Sequence, residues 1–137
     1  MRMTVKSYKD LKVWQDSMSL AKVVYQQTSG FPRAELYGLT SQARRSAVSV
    51  PSNIAEGRAR ESTGDYLRHL MIARGSLAEL ETQMMLARDL GFLADEQLNS
   101  LLLATDEIGR MLRGLQKSLK ARSEEREVRS KQRGPNE

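Results

Sequence analysis

An all-α fold, an up-down-up-down four-helix bundle, is what this sequence predicts, and three observations carry that prediction. Apolar residues recur at spacings of three and four along four long segments. Each segment is bounded by capping residues or by glycine and proline. The composition favours Leu, Ala, Met, Glu, Gln and Arg, with three prolines and few β-branched residues, which disfavours a sheet.

The first helix follows SYKD. Ser7 and Asp10 have the spacing of a capping box, with a carboxylate of the right sign for a helix N-terminus. Leu11, Trp14, Met18, Ala21 and Tyr25 then share one face. Gly30 stands where a helix ends with φ > 0, and Pro32 prevents a restart in register. The second helix is expected from Ala34 to Gly57, with Leu36, Leu39, Ala43, Ala47, Val50 and Ile54 as its stripe. That stripe passes through Pro51 without a change of phase, so RRSAVSVPSNIAEG reads as helix. A proline inside a helix costs roughly 3 kcal/mol, and a kink or bulge is expected between Ala47 and Pro51. The third helix starts after STGD, carries Tyr66, Leu70, Ala73, Leu77, Leu80, Met84 and Ala87 inward, and ends at Gly91. The fourth starts at Asp95 as N-cap and has the cleanest seam: Leu98, Leu101, Thr105, Ile108, Leu112, Leu115 and Leu119.

The bundle is assigned to residues 1–122. Residues 123–137 lose the apolar period and are expected to be a charged tail passing from frayed helix into disorder. Gly75, Gly109 and Gly114 lie inside helices, either as tolerated imperfections or as places where helices approach closely. The chain has no cysteine, which excludes disulfides and thiol chemistry. MRMTVKSYKD holds no apolar run suited to a signal peptide, and no stretch nears the ~18 apolar residues of a membrane span. A cytoplasmic protein without membrane partners is expected.

Catalytic and metal-binding patterns are missing. The single histidine, His69, has Asp65 one turn before it; such a pair reads as a surface pair rather than a base and its orienter. No Glu-x-x-His repeat supplies a di-metal site, and no glycine-rich loop suits a nucleotide phosphate. The expectation is no catalytic residue, no metal and no cofactor.

Two patterns do stand out. On the second helix, Arg45, Ser49, Ser52 and Glu56 fall at i, i+4, i+7 and i+11, bordered by Arg44 and Asn53. This row is either a solvated face or a packed polar seam. Its small side chains favour a seam, within the bundle or between subunits, with Arg45 and Glu56 hydrogen-bonded. The second pattern is charge. The formal net charge is +5, and the neutral tail puts the whole excess on the body. An antiparallel bundle would gather Lys6, Lys9, Lys12, Arg58, Arg60, Arg113, Lys117, Lys120 and Arg122 at one pole. The helix dipole accounts for cations at the end of the fourth helix but not at the start of the first.

Three segments, DLKVWQDSMSLA (10–21), FPRAELYGLTSQARRSAVSVPSNIAEG (31–57) and IARGSLAELETQMMLARDLGFL (72–93), resemble the 23S rRNA-intervening sequence proteins, also called four-helix-bundle proteins. The likeness covers most of residues 8–119. It implies a small bacterial cytosolic bundle and a ring-shaped homo-oligomer of five subunits. Members of the family occur as reading frames inside large-subunit rRNA genes, and relatives accompany the reverse transcriptases of diversity-generating retroelements. The family carries no agreed activity. Residues and resemblance together lead to a non-enzymatic oligomer that binds RNA or DNA through its basic pole with little sequence specificity. The alternative is a scaffold that docks a partner protein and binds no nucleic acid.

Overall fold

A computed structural model describes residues 7–133. Four helices make up the fold: α1 (Lys12–Thr28), α2 (Leu39–Ala59), α3 (Thr63–Asp89) and α4 (Asp95–Arg133). Among the described residues there is no strand. The helices pack in cyclic order, α1 on α2, α2 on α3, α3 on α4 and α4 on α1. Their course is antiparallel. The end of α1 meets the start of α4, where the Gln27 amide donates to the Gln97 carbonyl at 3.1 Å. The two loops at that end touch through the Phe31 and Phe92 rings, 6.0 Å apart.

The stripe of α3 and most of those of α2 and α4 are buried as read from the sequence, but α1 turns another face inward. Val13, Ser17, Leu20, Val24 and Thr28 are buried, whereas Met18 and Tyr25 are exposed and Leu11, Trp14 and Ala21 half-buried. α1 carries two adjacent apolar stripes, and packing against α2 and α4 selects the one with the smaller side chains. Ile54, Leu70, Leu80, Met84, Leu98, Leu101, Ile108 and Leu112 are fully buried, with Ala43, Ala47 and Ala73 where helices come close. Each large aliphatic side chain buried this way stabilises the fold by ~1.5–3 kcal/mol.

The boundaries show where local chemistry differs from the expectation. The Ser7–Asp10 capping box forms, but it closes a 3₁₀ turn over Tyr8–Asp10, and α1 begins after Leu11. Gly30 does not take positive φ; among the described residues Gly91 alone does so, at 81°. There the Phe92 N–H reaches back to the Ala87 carbonyl at 2.8 Å, closing α3. α2 starts at Leu39 rather than Ala34. The Glu35 carboxylate accepts from the Leu39 N–H at 3.1 Å and caps the helix. Gly38 makes this fold-back feasible, since a Cβ there would lie 2.6 Å from Glu35 Oε2. α2 then runs unbroken through Pro51 to Ala59, so the expected local bulge is absent. Asp95 is the first residue of α4, not its cap.

The segment expected to leave helix after residue 122 continues α4 to Arg133, exposed throughout. Its Glu, Arg, Lys and Ala content suits helix without any packing, and Glu127 and Lys131 approach at 4.0 Å one turn apart.

Candidate functional site

The polar row of α2 divides among three surroundings. Ser49 and Asn53 face α3. The Ser49 hydroxyl is 2.7 Å from that of Ser76, and the Asn53 amide nitrogen donates to the Ser49 carbonyl and hydroxyl at 2.9 and 3.0 Å. A carbonyl only accepts, so the amide nitrogen must face Ser49 and Asn53 Oδ1 must face His69. His69 Nδ1, 3.0 Å away, is therefore the protonated nitrogen and donates. This is a polar seam inside one bundle.

His69 is 5 % exposed, which overturns its reading as a surface partner of Asp65. Its other nitrogen, Nε2, is buried without a hydrogen-bond partner. Gly57 lets the helices meet here. A Cβ at that position would stand 2.8 Å from His69 Cβ and 3.0 Å from the Tyr66 ring.

The remaining members of the row leave the seam. Arg44 reaches α1, donating to Thr28 Oγ1 at 2.9 Å and lying 4.6 Å from the Tyr25 ring centroid. Glu56 pairs with Arg60 at 2.9 Å on the surface. Arg45 and Ser52 are exposed, so Arg45 is not the buried, bonded cation expected. Successive positions on a helix turn 100°, and a row eleven residues long drifts from one neighbour to the next.

The basic residues lie on the elements that the antiparallel trace gathers. Lys9 is exposed beside the Tyr8 ring, and Lys12 pairs with Asp16 at 2.7 Å. That hydrogen bond, and then the charge of Asp16, raises the affinity of the Lys12 amine for its proton. Arg58 is half-buried near Tyr66. Burial pushes the Tyr66 phenol up, and the Arg58 charge opposes that shift. Lys117, Lys120 and Arg122 are exposed on the distal half of α4. Lys6 lies outside the described residues.

One further feature is only partly present in the sequence pattern, which supplies Arg113, Lys117 and Lys120 but not Arg74. Arg113, Lys117 and Lys120 do not project from an isolated helix face; they form one wall of a groove between α3 and α4. The groove has a volume of about 420 Å³, and Arg74 of α3 lines it as well. Arg74 Nη1 donates to the Gln116 side-chain oxygen at 3.1 Å, and Gln116 is buried beneath. Nothing in the residues flanking Arg74 marks it, because its neighbours in space come from some forty positions away.

A second recess of about 410 Å³ adjoins it, sharing Arg74 and Arg113 and lined also by Glu81, Asp106, Met71 and Leu77. Gly75 and Gly109 line it. A Cβ on Gly75 would touch nothing within 4 Å, and one on Gly109 only the tip of Arg113 at 3.5 Å. One on Gly114 would also meet open space. These three glycines therefore mark no close helix approach within the bundle. A separate groove of about 580 Å³ between α1 and α2 is apolar, with Trp14, Met18, Tyr25 and Val48 on its walls.

Among the described residues no group of His, Cys, Asp or Glu could hold a metal ion. No described helix is long and apolar enough to cross a membrane.

The family model for 23S rRNA-intervening sequence protein matches residues 9–114 of this chain. No curated protein matches it. Among solved structures, it is similar to a protein of unknown function from the S23 ribosomal protein family of Bacteroides thetaiotaomicron. The identity is 24%, the TM-score 0.69, and the alignment covers 77% of this chain and 98% of that one. This likeness establishes the shared helical fold.

Proposed function

The chain belongs to the 23S rRNA-intervening sequence protein family, and from that premise we propose that it is a non-enzymatic, cytoplasmic oligomer that binds RNA or DNA through its basic pole. The observation that carries this reading is the antiparallel course of the helices. It sets Lys9, Arg58 and Arg60 at the same end as the exposed cations of distal α4. A concentration of positive charge attracts phosphates whatever the base sequence. Near these cations the Tyr8 ring lies beside Lys9, while Tyr66 beside Arg58 is buried, so stacking on bases contributes little and specificity is weak.

Assembly into a ring, a homopentamer, belongs to the same proposal. What supports self-association is the outer face of α3, which leaves Ile72, Met85 and Leu86 exposed, with Leu90 exposed just past its end. The scaffold reading has its own support in the apolar groove between α1 and α2, which suits a partner's side chains better than phosphate.

Salt separates the two readings. The proposal expects RNA and DNA binding at low salt, with log K falling linearly against log salt by ~0.7–0.9 per phosphate neutralised. Failure of both nucleic acids to bind at low salt overturns it, and salt-insensitive capture of a protein favours the scaffold. Light scattering reports the number of subunits.

A further inference from the structure

We infer that the groove between α3 and α4 is a seat for a single-stranded phosphodiester backbone, with Arg74, Arg113, Lys117 and Lys120 as its phosphate ligands. This rests on the proposed nucleic-acid binding and narrows it from a charged pole to one recess.

Four features of the recess point to phosphate. The groove is lined by four cations and one carboxylate, Glu124, the remainder being Gln116 and Ala121. No aromatic or large aliphatic side chain lines it; its apolar surface is the stems of the long charged side chains, and it offers no ring for a base to stack on. Arg74 is held in place: the buried Gln116 oxygen takes one of its N–H groups, which orients the guanidinium and leaves its other donors for a ligand. Beyond Arg74 and Arg113 the adjoining recess is lined by the carboxylates of Glu81 and Asp106, the latter paired with Arg110 at 3.2 Å, and these bound the anionic track.

The spacing fits a strand. Arg113, Lys117 and Lys120 fall at i, i+4 and i+7 and cover ~10 Å of helix axis at 1.5 Å per residue. That is about three phosphates at the ~3.4 Å rise of a stacked strand. A recess between two neighbouring helices admits one backbone; a duplex could touch only its rim. With no aromatic wall, bases point away, and recognition is of phosphate and charge.

The test uses the full chain and fluorescence anisotropy with a labelled oligothymidylate and a duplex of equal length. The variant Arg74→Gln/Arg113→Gln/Lys117→Gln/Lys120→Gln changes exposed helical positions to another helix former, and circular dichroism checks its fold. It is expected to bind the single strand at least roughly tenfold more weakly, with a salt slope smaller by about 0.7 for each phosphate no longer neutralised. The comparison variant Lys9→Gln/Arg58→Gln/Arg60→Gln, in the pole but outside the groove, is expected to weaken binding through long-range attraction, and by less than the groove variant. Lys22→Gln/Arg33→Gln, exposed cations outside both, is expected to leave binding unchanged. Glu124→Gln should strengthen binding.

If the groove variant binds like the parent while the comparison variant weakens, the groove is overturned and the basic pole stands. If the parent binds no nucleic acid at low salt, both are overturned. Inorganic tripolyphosphate distinguishes the source of the phosphate. Displacement of the oligonucleotide only at large excess supports a strand; displacement at equal phosphate concentration makes this a free-polyphosphate site and overturns the strand assignment.

Discussion

Helix α3 meets its two neighbours in opposite ways. Against α2 it is closed: Gly57, Ser49, Asn53, His69 and Ser76 bring the helices together and pair their polar groups across the interface. Against α4 it is open: Gly75 faces space, a Cβ on Gly109 would meet only the movable tip of Arg113, and Arg74 and Arg113 stand over a recess. Small residues thus mean different things on the two sides. On the first they are required by the fold. On the second the fold would accept more bulk, and the unused space carries charge. Stability is therefore expected to depend on the α2 side and ligand binding on the α4 side.

The largest effect expected on stability is at Gly57. Gly57→Ala forces a Cβ against His69 Cβ and the backbone oxygen of Tyr66, neither of which can swing aside. A loss of ~3 kcal/mol, the upper range for overpacking, should appear as a lower urea midpoint with unchanged slope. An unshifted midpoint would mean that α2 and α3 separate freely.

Asn53→Ala comes next. It strands the buried His69 Nδ1–H, while the Ser49 hydroxyl keeps its partner Ser76, and should cost about 1–2 kcal/mol. Because the seam lies within one bundle, dilution should not enlarge this loss. A concentration-dependent loss would place the seam between subunits instead.

The smallest effect has the opposite sign. Gly75→Ala meets no atom within 4 Å and should raise stability by ~0.5–1 kcal/mol through helix propensity. A destabilised variant would show the α3–α4 groove to be closed in solution.

The same contrast explains what could and could not be read from the residues alone. The four helices were legible because Leu, Ile and Ala at three- and four-residue spacing demand a buried face. The start of α2 was not, because the carboxylate of Glu35 caps Leu39 from outside the usual N-cap position, across Gly38. The burial of His69 does have a signature in the sequence. It falls with Tyr66, Leu70, Ala73, Ser76 and Leu80 on one helical face, all buried, and Asp65 one turn away is a competing signal that points to solvent. Its partner Asn53 could not be assigned, since only packing decides which residue of α2 lies opposite. Arg74 was invisible for the same reason. A lone arginine on an exposed helix face has no local signature, and its role in the groove depends on the turn of α4 that contains Gln116.

The far end of α4 adds a consequence of its own. At 39 residues and 1.5 Å per residue, this helix is ~58 Å long, and its outer portion is a boom without a buried side. Cut loose as a short peptide, that portion would be mostly coil, because initiating a helix is unfavourable and charged pairs one turn apart return only tenths of a kcal/mol. Joined to a rod already wound inside the bundle, it needs no initiation and grows one hydrogen bond at a time. The boom therefore borrows its order from its root, and whatever loosens the root also slackens the tip.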